Sequence, residues 1–176
     1  METNLPNKIH IIGSIGSGKT TLAKELSAQL NTPFYELDNV VWKRRNNGDV
    51  RRTEQERDDY LRSIVTNEKW IVEGVHHKWV SPSFHHADLI IFLNTNITKR
   101  KMRIMTRFIK QKIGVEKSNY KPSLKILKDL YHYNTVFENE SKSEILNLLT
   151  PYNDKLKMIR NSSEVVEYFK KLTEKH

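Results

Sequence analysis

HIIGSIGSGKTTLAKEL, residues 10–26, decides the fold. Within it Gly13, Ser14, Ile15, Gly16, Ser17, Gly18, Lys19 and Thr20 fit the pattern G-x-x-x-x-G-K-[ST]. Glycines let a backbone turn inward with no Cβ in the way, so that successive N–H groups face one anion. A helix opening near Thr20 adds its positive end. Lys19 then supplies a full charge between the β- and γ-phosphates, and the Thr20 hydroxyl is a ligand for Mg²⁺. The pattern predicts a polyphosphate site over Gly13–Thr21.

Working outward, KIHIIGS (8–14) reads as a buried strand ending at glycine. Leu22, Ala23, Leu26 and Leu30 share a helix face, and Asn31, Thr32 and Pro33 end that helix. FYELD (34–38) is a second strand. RRNNGDVRR (44–52) reads as an exposed basic loop. Thr53 and Glu56 form a capping box for a helix with Tyr60, Leu61, Ile64 and Val65 on its core face. WIVEGV (70–75) and DLIIFLN (88–94) are two more buried strands. Residues 97–112 are a basic helix, 114–122 break it, and an interrupted helical stretch runs from Ser123 to about Leu149. KLKMIRN (155–161) is a fifth strand. Ser162 or Ser163 then caps a last helix, which buries Val165, Val166, Phe169 and Leu172. Strands alternating with helices predict a parallel sheet covered on both faces.

The chain has 176 residues, enough for one domain with a sizeable core. It has no cysteine, which excludes disulfides, thiolate metal sites and cysteine nucleophiles. METNLPNK offers no apolar run for a signal peptide, and no stretch is long enough to be a membrane helix. A cytoplasmic protein without a membrane partner is expected. The formal net charge of +9 draws polyanions, among which charge alone does not choose.

The glycine loop, LDNVVW (37–42), WIVEGV, DLIIFLN and the Arg-rich helix come in one order. Together they resemble the adenylate kinase-like P-loop kinases, and most closely the bacterial DNA topology modulation (FlaR-like) proteins. The resemblance implies a P-loop three-layer α/β/α fold, a five-stranded parallel sheet in the order 2-3-1-4-5, and use of ATP and Mg²⁺. It leaves the acceptor open among nucleosides, nucleotides and other small alcohols. It also implies a strand-end acid near Mg²⁺, here Glu73, and lid arginines, here Arg103 and Arg107. Arg160 falls where relatives approach the adenine. Where monophosphate kinases of the family often continue with Phe-Pro-Arg, this chain has Val75-His76-His77, which favours a hydroxyl acceptor.

Asp38 is expected at a strand end beside the loop, either as acceptor of a hydroxyl proton or as a turn cap. Residues 99–112 hold seven basic residues and no acid. Arg103 and Arg107 share a helix face, suited to phosphate oxygens, while a solvated basic face is the plainer alternative. An acceptor-binding insert over 39–69 and a lid over 103–122, with Gly114 and Pro122 near its hinges, complete the expectation of a single kinase-like domain. The two His-His pairs, 76–77 and 85–86, read as chance loop neighbours. Trp42 either lines the acceptor pocket or packs. The rival reading is a nucleic-acid-associated P-loop NTPase, supported by the net charge and the basic loop and opposed by the lack of a recognisable nucleic-acid module.

Overall fold

The computed structural model describes residues 5–45, 48–118 and 121–173. At its centre is β1 (Lys8–Gly13), with β5 (Trp70–Gly74) on one side and β6 (Leu89–Leu93) on the other. β2 (Phe34–Glu36) and β7 (Leu156–Ile159) are the edges. All four pairings are parallel, so every strand points its C-terminal end to the same edge. The order is β2-β5-β1-β6-β7. It differs in numbering from the expected 2-3-1-4-5 because two short strands, β3 (Trp42–Lys43) and β4 (Val50–Arg51), intervene in the chain. They pair only with each other, as an antiparallel hairpin. Thus the basic loop at 44–52 is part of a hairpin; positions 46 and 47 lie outside the described residues.

The period-two alternation of the strands sorts side chains onto two faces. Ile9, Ile11, Ile71, Ile91 and Leu93 meet Leu22, Ala23 and Leu26 of α1 (Lys19–Leu30), with Val165 and Phe169 of α8 (Ser162–Thr173). Ile12, Trp70, Val72, Ile90 and Phe92 meet the opposite layer. That layer is built from α2 (Leu37–Val41), α3 (Glu54–Val65), α4 (Ser81–His86), the π-helical turn Phe137–Ser141 and α7 (Lys142–Leu149). The two clusters are the core, and each fully buried large side chain contributes about 1.5–3 kcal/mol. α5 (Ile97–Lys112) and α6 (Leu124–Val136) form a helical hairpin at the strand-end edge.

Local chemistry sets the boundaries. Asn31, in the left-handed region at φ 47°, stops α1. Thr53 and Glu56 make the reciprocal capping box that starts α3. On α3, Leu61, Ile64 and Val65 are buried, but Tyr60 is exposed, with the Arg52 guanidinium 4.7 Å from its ring centroid. α8 is capped by neither serine: Asn161 Oδ1 accepts the Ser163 N–H at 3.4 Å. The Leu172 side chain is outside the described set. FYELD is strand only through Glu36, and Leu37 turns into α2. Gly74 makes this possible, because a Cβ there would lie 2.7 Å from the Leu37 Cβ.

Candidate active site

The Gly13–Thr20 loop joins the central strand to α1, so it sits where the sheet edge and a helix N-terminus meet. Gly16 and Gly18 have φ of 76° and 102°, a region that favours glycine. Gly16 is doubly constrained, since a Cβ there would lie 2.8 Å from the Arg100 carbonyl oxygen on α5. The loop's carbonyls are taken one after another. The Lys19 ammonium donates to Ser14 O at 2.9 Å, and Asn134 Nδ2 donates to Ile15 O at 3.3 Å. Arg103 Nη1 donates to Gly16 O at 3.3 Å and Ser17 O at 2.7 Å, and Thr95 Oγ1 reaches the same Ser17 O at 3.0 Å. The Ser14 hydroxyl donates back to Asn134 Oδ1 at 3.1 Å. Four consecutive carbonyls are held this way; of the loop's amides, that of Ser17 donates to Ser14 O at 3.2 Å, and the others face an anion.

Lys19 is buried, and desolvation lowers its pKa, with Glu73 and Asp38 opposing the shift. Glu73 lies on β5 with the side-chain parity of Ile71, and so points toward α1, where the Thr20 hydroxyl donates to its Oε1 at 2.6 Å. It is buried, opposite Glu36 of β2 in the register. Burial raises its pKa, and Lys19 and the Thr20 hydrogen bond pull the other way. A hydroxyl beside a carboxylate is a hard oxygen pair that fits Mg²⁺ taking its remaining ligands from water and phosphate. Among the described residues no group of three or more His, Asp or Glu side chains forms a site that would hold a metal by itself.

Asp38 is not at the strand end itself but in the first turn of α2, with its carboxylate exposed. His76 Nε2, from the loop after β5, stands 3.4 Å from Asp38 Oδ1. The hydrogen bond from His76 holds the Asp38 carboxyl below the usual range, with Lys19 and Arg44 assisting by charge. The Asp38 charge also acts on Lys19, on Glu73 and on the phenol of Tyr133 in α6. These groups therefore lie within reach of one another's charge. His76 in turn packs against Trp79 (5.3 Å between centroids), whose ring carries the Arg57 guanidinium 4.6 Å away.

The arginine helix is also here, with a division the spacing did not give. Arg103 grips the loop's carbonyls, and Arg107 lies near enough to lower the pKa of Lys19. Arg100 is buried against the Phe137 ring and ion-paired to Glu138. Thr21 is exposed in the first turn of α1. Arg160 is exposed one residue past β7, on the same edge but outside this set of contacts. Trp42 is exposed, with Arg51 6.0 Å from its ring. The histidines separate: His76 joins Asp38, His77 faces Glu144 at 3.2 Å, and His85 and His86 meet edge-on at the end of α4.

Sequence reasoning missed Asn134, Thr95, His76 and Tyr133. Asn134 had a signal: it takes the core-facing position between Leu127 and Phe137, where an apolar residue is expected. His76 had a weaker one, its place two residues after Gly74. Thr95 and Tyr133 had none.

This fold and loop define a P-loop NTPase-like α/β protein. The chain belongs to the AAA domain family, whose model matches residues 9–121, from β1 to three residues before α6. No curated protein matches it. Among solved structures, a shikimate kinase from Bacteroides thetaiotaomicron is 16% identical, with a TM-score of 0.58 over 97% of this chain and 99% of that one. A shikimate kinase from Acinetobacter baumannii in complex with shikimate is 17% identical, with a TM-score of 0.54 over 99% and 95%. A sugar kinase from a Janibacter species is 17% identical, with a TM-score of 0.53 over 93% and 92%. At these identities the likeness is one of fold.

Proposed function

We propose that the protein is an ATP-dependent small-molecule kinase that transfers the γ-phosphoryl group to a hydroxyl of a nucleoside, nucleotide or other small acceptor. One observation supports the reading: the loop lysine, the Thr20–Glu73 pair and the Asp38–His76 pair lie within reach of one another's charge at the strand ends. The three kinase structures named above share the fold and make the reading the natural one for it.

The loop amides and Lys19 hold the β- and γ-phosphates. Mg²⁺, when bound through Thr20 and Glu73, neutralises phosphate charge. Asp38 faces the incoming acceptor; its carboxylate, ionised through the neutral range and oriented by His76, aligns the hydroxyl and takes its proton as the new P–O bond forms and the bond to the leaving ADP oxygen breaks. Arg107 offsets charge on the transferring group, while Arg103 keeps the loop in shape. The chain acts as one domain, with 39–69 presenting the acceptor and 103–122 closing over it, so that water does not intercept the phosphoryl group. Positions 119 and 120 of that lid lie outside the described residues.

Screening nucleosides, nucleotides, sugars and small alcohols with ATP and Mg²⁺, scored by ADP release, tests this. Acceptor-dependent ADP is the expected result. Phosphate release that needs no acceptor contradicts it and supports the rival, a nucleic-acid-associated NTPase, which the +9 charge favours.

A further inference from the structure

α5 is folded inside out. The side it turns toward the loop and core carries Arg100, Arg103 and Arg107, with Ile104. The side it turns to solvent carries Met102, Met105, Ile109 and Ile113, three to four residues apart and so on one stripe. Met102 and Ile113 are each 66% exposed and Ile109 is 50% exposed. Val115 (71%), just past α5, and Leu124 (74%), the first residue of α6, are exposed as well. At 100° per residue, lysines flank the stripe on both sides: Lys101 and Lys112 along one border, Lys99 and Lys110 along the other.

The charge is segregated to the same place. Residues 97–128 hold eleven Lys and Arg against one acid, Glu116, a net +10; the rest of the chain sums to −1. The whole hairpin, 97–136, adds Asp129 and carries a net +9, so the protein's net charge is concentrated there, although nineteen Lys and Arg lie elsewhere.

We propose that this face docks on the surface of an anionic lipid bilayer, with the Met/Ile stripe entering the headgroup–acyl boundary and the bordering lysines reaching lipid phosphates. Three observations choose this occupant. A second copy meeting stripe to stripe would bring two sets of lysines together, a repulsive arrangement. A nucleic acid offers the lysines a partner but the stripe none, and the arginines that serve base and phosphate recognition best face inward. An apolar stripe between two lysine rows is the pattern that buries in lipid while its ammonium groups snorkel to the phosphates. The contact is peripheral: no described helix is long and apolar enough to cross a membrane.

The test uses the full chain and vesicles of phosphatidylcholine alone or with about 30% phosphatidylglycerol, at about 0.15 M salt. Cosedimentation with the anionic vesicles only is expected. The pair Met102→Ser and Ile109→Ser, which leaves every charge in place, should weaken it at least about tenfold. Lys99→Gln with Lys110→Gln should weaken it further and reduce its salt dependence. Because the chain has no cysteine, an environment-sensitive dye on I109C reports the stripe alone, and its emission should shift to the blue on anionic vesicles while the same dye on E54C, in α3, stays unchanged. The dye reading stands even if the serine pair fails to fold. Absence of vesicle binding overturns the proposal, as does binding that the serine pair leaves intact or a dye that does not respond. Two other outcomes also overturn it: a dimer in sedimentation velocity that the serine pair dissociates, or duplex DNA binding that outcompetes the vesicles.

Discussion

At the scale of single residues, the site is a balance of buried charges. Glu73 is less acidic in the fold than in the unfolded chain, because burial outweighs the help from Lys19 and Thr20. A carboxyl with a raised folded pKa costs stability at neutral pH, where it must ionise while buried. Glu73→Gln should therefore raise Tm in the absence of ligand and lower ADP formation at least about tenfold, since the acid serves the ligand rather than the fold. A simultaneous fall in both would show the acid to be structural. Asp38 has the opposite sign, its carboxylate favoured by His76. Asp38→Asn keeps the shape and should lower kcat about a hundredfold with KM little changed. An unchanged kcat would mean Asp38 only caps α2. His10, on the central strand, is buried against Phe84 and hydrogen-bonded to the Ser83 hydroxyl, and burial lowers its pKa from 6.5 to about 3. The unfolded chain thus binds a proton in that window and the fold does not. Stability from this group should fall by up to about 1.4 kcal/mol per unit as pH drops below 6.5. His10→Gln should flatten that part of the profile of Tm against pH.

At the scale of elements, the loop's shape is imposed from outside by two helices. α5 supplies Arg103 and the backbone that crowds Gly16; α6 supplies Asn134. They are tied together by Arg100 and Glu138 across the π-helical turn, and Lys142 bonds the same carboxylate at 2.7 Å. Glu138→Gln leaves the buried Arg100 charge without its counterion. Discounted for the partial exposure of Glu138, the cost should be about 1–3 kcal/mol, read as a lower denaturation midpoint. No loss would mean that the pair is incidental. This is also where sequence reading stopped. β1, β5 and β6 were legible because buried parallel strands are continuous apolar runs, and α3 because its capping box is local. α2 was not, since LDNVV suits a strand as well as a helix and Gly74 settles the matter from 37 residues away. On α5 the spacing grouped Arg103 with Arg107, but whether their face turns inward, and that Arg100 is buried with it, was hidden, because an inside-out helix has the same periodicity as an ordinary one.

At the scale of the whole molecule, the parallel sheet brings the ends of five strands to one edge, and the residues that gather there come from positions 13 to 134 of the chain. The loop, Glu73 and the neighbourhood of Asp38 could be read from sequence because each lies in or just past a strand. Asn134 and Tyr133 could not, because only the packing of α6 on the loop carries them in. A ligand that bridges these elements should stabilise the entire domain by mass action, about 2.7 kcal/mol at a hundredfold excess over its Kd. The most direct test is calorimetric titration of ATP with Mg²⁺ into the protein and into Lys19→Ala, each with its thermal melt. The account predicts binding and a raised Tm for the native chain, with most of both lost in Lys19→Ala. Equal affinity and equal thermal shift in the two proteins would contradict it.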